Sequence, residues 1–213
     1  WTMQRGPLST SQIKTLPKKN CTILVQDLNH YVPAGRALLR EFSFVPYARL
    51  ADLMVSYALP GGGDGAHFDS YDVFLLQGMG DRRWRISTQS DLTLRPNLPL
   101  KILKHFEPEQ EWVLQPGDML YLPPNVAHEG TAVTKCTTYS IGFRAPSAQE
   151  LTFNFLNFLQ DELQMDGMYA DRDLRSQSAP GEFSPTMIRR VGKMLITLRW
   201  DNAVCAKFLG NYL

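Results

Sequence analysis

The sequence predicts a mainly β protein, a double-sheet jelly roll, with an all-α region after it. Three observations carry this. Short β-rich runs separated by Gly, Pro, Asn and Asp fill the chain from about Asn20 to Ala145. They follow one another too closely for a helix to cross over between each pair, which disfavours a parallel sheet and points to a sandwich or barrel. After Arg144-Ala145-Pro146 the apolar residues switch to steps of three and four, the helical period. The expected organisation is a β domain over residues 1–145 and a helical region over 146–213.

Taken in order, the strand candidates are Thr22 to Asp27, Asp52 to Leu59, Tyr71 to Gln77, Arg82 to Thr88, Glu111 to Leu114, Met119 to Leu122 and Thr137 to Arg144. One helix interrupts them. Pro33 stands at its first position, and Leu38, Leu39 and Phe42 fall on one face. In the helical region Leu151, Phe155, Phe158, Leu159 and Leu163 form one stripe. Asp166 to Glu182, rich in Gly, Asp, Ser and Pro, reads as a loop, and Ser184-Pro185 supplies an N-cap and a first-turn proline for the next helix. Ile188, Val191, Leu195 and Leu198 line that helix. A last helix near Asp201 to Leu209 is expected to stop at Gly210, a C-cap residue.

Composition narrows the function. Lys plus Arg is 22 against 21 for Asp plus Glu, a net charge of +1, so no nucleic-acid-binding field is expected. No apolar run approaches the ~18 residues of a membrane span. Cys21, Cys136 and Cys205 are scattered and odd in number, which argues against a disulfide framework or a cysteine-held zinc and for a reducing, cytoplasmic setting. The chain opens at Trp1 rather than Met and closes on Leu213, so both ends are expected to be cuts through a longer polypeptide.

Chemistry concentrates between Pro60 and Arg85. The turn Gly61-Gly62-Gly63-Asp64-Gly65 has neither G-x-G-x-x-G nor a Walker lysine, and a strand rather than a helix follows it, so it does not cradle phosphate. His67 and Asp69 come next. Two residues apart on an extended segment, they project to the same face and can share a cation. The pair is a weak signal alone. Downstream, a Pro-Gly turn opens the run Met119 to Leu122, Pro123-Pro124 ends it, and His128 lies on the following segment. Two imidazoles and one carboxylate leave half an octahedron open, an arrangement suited to non-haem Fe(II). Core or surface histidines remain the alternative. His30 and His105 lack patterned partners, and Asp118 belongs to its turn.

Strand alternation puts Arg83 and Arg85 on one face and Arg82 on the other, so one inward arginine among the three is expected. The run GGGDGAHFDSYDVFLLQGMGDRRWRI, with PGDMLYLPPNVAHEG and YSIGFRAP after it, closely resembles the bacterial ribosomal oxygenases of the JmjC/cupin class. The likeness is dense from about Leu50 to Pro146 and thinner over the C-terminal helices. It implies the double-stranded β-helix of that class, with His67, Asp69 and His128 as catalytic iron ligands and 2-oxoglutarate and O2 as co-substrates. Arg82 matches the arginine that binds the distal carboxylate of 2-oxoglutarate, a role suited to a planar guanidinium fork. Ser56 matches a co-substrate-binding position, and Ser140 is its neighbour on the last core strand.

The resemblance further implies hydroxylation of an arginine side chain in a large-subunit ribosomal protein, and a homodimer formed through the C-terminal helices. It also implies missing parts, an earlier start and a winged-helix domain beyond the helices. Other readings stay open on the residues themselves. A histidinyl or asparaginyl hydroxylase uses the same iron site, and a cupin holding another metal, or none, is a non-oxygenase alternative. Lysine demethylation needs an aromatic cage that the strand and helix periodicity of the aromatics does not suggest.

Overall fold

The computed structural model describes every residue except Trp1, Leu174, Gln177 and Ser178. It divides into two compact units, Trp1–Ala145 and Pro146–Leu213.

The first unit is two antiparallel sheets. The larger has the order β1-β2-β8-β3-β6, built from β1 (Thr22–Val25), β2 (Leu50–Ala58), β3 (Val73–Met79), β6 (Met119–Leu122) and β8 (Cys136–Phe143). The smaller has the order β5-β4-β7, built from β4 (Arg82–Ser87), β5 (Gln110–Leu114) and β7 (Ala127–Ala132). The pairs β2-β8, β8-β3, β3-β6 and β4-β7 join strands that are not consecutive in the chain, as a jelly roll requires.

Three short helices, α1 (Thr10–Lys14), α2 (Leu28–Tyr31) and α3 (Pro33–Arg40), precede β2. The expected strand at Thr22 stops at Val25 rather than Asp27, because Asp27 adopts φ 55 and turns the chain into α2. Pro33 does open α3, and Leu38, Leu39 and Phe42 pack together beneath it, although Phe42 lies just past the last helical turn.

Alternation along β3 splits the interior into two layers. Phe74 and Leu76 join Phe42, Leu50, Leu53, Ile141 and Phe143 against the helices. Val73 and Leu75 point the other way, to Trp84 and Leu122 between the sheets.

β7 has no counterpart among the strand candidates. Its sequence, AHEGTA, is poor in β-branched and aromatic residues and becomes a strand by pairing with β4 from Arg82↔Ala132 to Ser87↔Ala127.

The second unit holds α4 (Ala148–Glu162), α5 (Pro185–Ile196) and α6 (Asn202–Tyr212). Ser147, Ser184 and Asp201 each cap a helix through the side chain. Within the stretch read as a loop, the described residues form no helix or strand, and Leu174, Gln177 and Ser178 lie outside the description. Two expectations need correction. α5 ends at Ile196, so Leu198 is beyond it, and Gly210 sits inside α6, which runs on for two more residues. A glycine near a helix end permits a cap without imposing one. Among the described residues no helix is long and apolar enough to cross a membrane.

Candidate active site

The segment before β3 is tied to β7 by a two-residue bridge. His67 N donates to His128 O at 2.9 Å and His128 N donates to His67 O at 2.8 Å, which sets the two imidazoles side by side, 4.3 Å between ring centres. Asp69 O in turn accepts from Asn125 N at 2.7 Å, fixing the far end of the segment. Among the described residues His67, Asp69 and His128 form a group whose ligand atoms all lie within 4.8 Å of one another. His128 Nε2 is 3.8 Å from Asp69 Oδ2.

Both rings are oriented from behind. His67 Nδ1 donates to Gly65 O at 2.8 Å and His128 Nδ1 donates to Val126 O at 2.9 Å. A carbonyl can only accept, so Nδ1 carries the proton and Nε2 keeps its lone pair, the form that ligates a metal. Gly65 supports this geometry with φ +80, a conformation a side chain would strain. Burial, then the neighbouring His67, pushes the His128 pKa down to about 4, so the ring is neutral near pH 7. The donor set fits a divalent cation.

Near Asp69, Tyr71 and Asp52 stand together. A Cβ placed on Gly142 would lie 3.6 Å from Asp52 Oδ1 and 3.7 Å from the Tyr71 ring. Burial, then the charges of Asp69 and Asp52, push the Tyr71 phenol up to about 12, so it stays a hydrogen-bond donor. Burial raises the Asp52 pKa as well.

Deeper between the sheets lies Arg82, 2% exposed. Its Nη1 donates to Ser56 Oγ at 2.7 Å and to Thr138 Oγ1 at 3.1 Å. Its Nε and Nη2 are buried and have no partner. The guanidinium stands 5.3 Å from the Trp84 ring centre. Burial lowers its pKa, and Asp64 opposes that shift. A buried cation with two idle donors is costly unless an anion meets it. The Trp84 ring also lies 6.1 Å from His128, between the cation and the triad. It fits there because β7 has glycine opposite it: a Cβ on Gly130 would come within 2.6 Å of the indole.

The expected site residues thus divide. His67, Asp69 and His128 converge, and Ser56 meets Arg82 directly. Ser140 does not, since it pairs with Met54 and Leu75, one inward position away. Thr138 takes that place, directly opposite Ser56. Thr138 and Gln77 were not singled out in the sequence, although a glutamine at the third inward position of the run Val73, Leu75, Gln77 is a visible oddity.

A model of the JmjC domain matches residues 37–151, more than half of the chain and the stretch that holds all of these groups. The chain belongs to the JmjC domain family. This JmjC chain is 35% identical over 201 residues to ribosomal protein uL16 3-hydroxylase of Escherichia coli, covering 93% of the chain and 53% of that protein. It is 40% identical over 154 residues to a probable ribosomal oxygenase of Haemophilus influenzae, covering 71% and 38%. Among solved structures, the X-ray structure of E. coli YcfD superposes with a TM-score of 0.83 at 34% identity, over 100% of this chain and 57% of that one. The E. coli ribosomal oxygenase YcfD in complex with cobalt and 2-oxoglutarate gives 0.79 at 34% identity, over 99% and 55%. The JmjC chain spans about half the length of these relatives.

Proposed function

We propose that the chain carries the catalytic domain of a cytoplasmic Fe(II)- and 2-oxoglutarate-dependent oxygenase that hydroxylates an arginine side chain of a large-subunit ribosomal protein. The observation that carries this reading is Arg82, buried between the sheets with Nε and Nη2 unpaired in the same interior as the His-Asp-His group. A dicarboxylate co-substrate needs both features at once.

His67, Asp69 and His128 hold the iron, which when bound supplies the activation of dioxygen that hydroxylation of an unreactive C–H bond requires. The protein's own part is placement. Ladder register sets Arg82 four residues from His128 along β4 and β7, roughly 13 Å at ~3.3 Å per residue. A long arginine side chain and a five-carbon diacid divide that distance between them. Ser56 shares the guanidinium, and Ser140, one step along the same inner face, borders the co-substrate. Trp84 walls the space between, keeping water out.

The target is cationic. Asp52 offers a carboxylate and Tyr71 an aromatic face close to Asp69, the chemistry that takes a guanidinium. The names of the E. coli and H. influenzae relatives support a ribosomal protein as its bearer.

The helices of 146–213 serve as the dimerisation region. Ile188, Leu195 and Ile196 on α5 and Phe153 and Leu156 on α4 are all exposed, apolar surface that a second copy would cover. A two-fold dimer is expected by light scattering at micromolar concentration, and a monomeric mass overturns it.

The test of the activity is intact-mass analysis of large-subunit ribosomal proteins incubated with the enzyme, Fe(II) and 2-oxoglutarate. One added oxygen mapped to an arginine is expected, together with succinate. Oxygen on a histidine or asparagine moves the assignment to another hydroxylase. Absence of succinate with iron bound removes the oxygenase reading.

A further inference from the structure

We infer that Gln77 is a positioning residue for co-substrate binding: it never reaches the ligand, but it fixes the proton order of a buried chain that leaves the bidentate edge of Arg82 free. The inference deepens the 2-oxoglutarate reading and rests on it.

The direction of every bond in this chain follows from chemistry. Gln77 Nε2 lies 3.2 Å from Met79 O and 2.8 Å from Gly80 O, and carbonyls only accept, so the amide nitrogen occupies that side. Gln77 Oε1 is therefore turned toward Thr138 Oγ1 at 2.9 Å and accepts its proton. A guanidinium only donates. Thr138, its one hydrogen committed to Gln77, presents oxygen lone pairs to Arg82 Nη1 at 3.1 Å, and Ser56 Oγ takes the same nitrogen at 2.7 Å.

Nη1 is thereby saturated by two neutral acceptors. Nε and Nη2, which lie on the same side of the guanidinium, stay unpaired and form the two-pronged edge that matches a carboxylate. Gln77 and Thr138 are each 1% exposed, so no water competes for these bonds from outside. An amide is also the right polarity. A carboxylate at 77 would face two backbone carbonyls and set a negative charge near the guanidinium, where it would compete with the ligand.

The experiment measures dissociation constants of 2-oxoglutarate and of pyruvate by calorimetry on the Mn(II)-loaded protein. Pyruvate keeps the 2-oxo acid but has no distal carboxylate for Arg82. Gln77→Glu and Thr138→Val are each expected to weaken 2-oxoglutarate about ten- to a hundredfold. Pyruvate affinity and Mn(II) affinity should hold, and Thr138→Ser, which restores the hydroxyl, should recover most of the loss. Arg82→Ala serves as the reference. Parallel loss of pyruvate binding means a general disturbance of the site and overturns the inference. Wild-type 2-oxoglutarate affinity in Gln77→Glu and Thr138→Val, with Arg82→Ala defective, overturns the role of Gln77 and leaves the co-substrate reading standing. Wild-type affinity in Arg82→Ala overturns both.

Discussion

The two faces of the larger sheet differ in chemistry where β2, β3 and β8 lie side by side. On the face beneath α2 and α3, Phe74 packs 5.4 Å from Phe42, 5.7 Å from Phe143 and 5.0 Å from Tyr121, ring to ring, with Leu53 and Ile141 fully enclosed. On the other face, the same three strands β2, β3 and β8 turn Ser56, Gln77 and Thr138 toward a buried cation. The first face removes apolar surface from water and stabilises the fold. At Ser56, Gln77 and Thr138 the second desolvates polar groups and gains little there, since each must find a partner merely to offset the loss, while Val73 and Leu75 on the same face pack on Trp84 and Leu122. What holds the protein together and what gives it chemistry are thus one residue apart along each strand, and substitutions should separate them cleanly.

The largest effect is expected at the mouth of the polar face. His67→Ala or Asp69→Ala should abolish iron-dependent turnover and metal binding while the thermal midpoint stays near that of the parent. Metal titration and calorimetry check this, and succinate release at the parent rate would remove the residue from the ligand set. Next comes the clamp. Arg82→Ala removes one partner of a desolvated charge pair, a loss of ~2–5 kcal/mol, or roughly 30- to several-thousand-fold in 2-oxoglutarate affinity, with metal still bound.

The apolar face should behave in the opposite sense. Ile141→Ala, at a site with no exposure, should lower unfolding free energy by ~2–5 kcal/mol in denaturant titration. The fraction that remains folded should bind 2-oxoglutarate normally. Gly130→Ala joins the two regimes, because its methyl would collide with Trp84: a stability loss of ~1–3 kcal/mol is expected together with weaker co-substrate binding. Loss of stability alone would detach Trp84 from the site. Smallest is the surface pair Arg83–Glu111, 3.4 Å apart and half exposed on both sides, where Glu111→Ala should cost less than ~1 kcal/mol and leave binding untouched.

Much of this was legible in the chain, and two of the failures share a cause. Period-two alternation set Arg82 on the face opposite Arg83 and Arg85, the family resemblance singled it out, and β6 falls on the residues expected. The His67 and Asp69 spacing placed two candidate ligands on one face. Register was not legible. Whether Ser56 lies opposite Thr138 or Ser140 depends on how β2 slides against β8, and a choice between residues two apart on one face carries no local signal. β7 was missed for a related reason: AHEGTA has little strand propensity of its own and is ordered by its neighbour. The C-terminal end of α6 erred the other way, a local signal at Gly210 that the helix overrode.

The slot around Arg82 is closed by residues far apart in the chain. Ser56 and Thr138 are 82 positions apart, Arg82 is 26 from the first and 56 from the second, and Gln77 is 61 from Thr138. No hairpin or local turn contains it. Closing loops of that length comes at the end of folding rather than the beginning, because their entropy must be lost before any of these contacts exists. A diacid that binds there therefore recognises only the finished molecule. It should lengthen the native lifetime by slowing unfolding and leave the rate of folding unchanged.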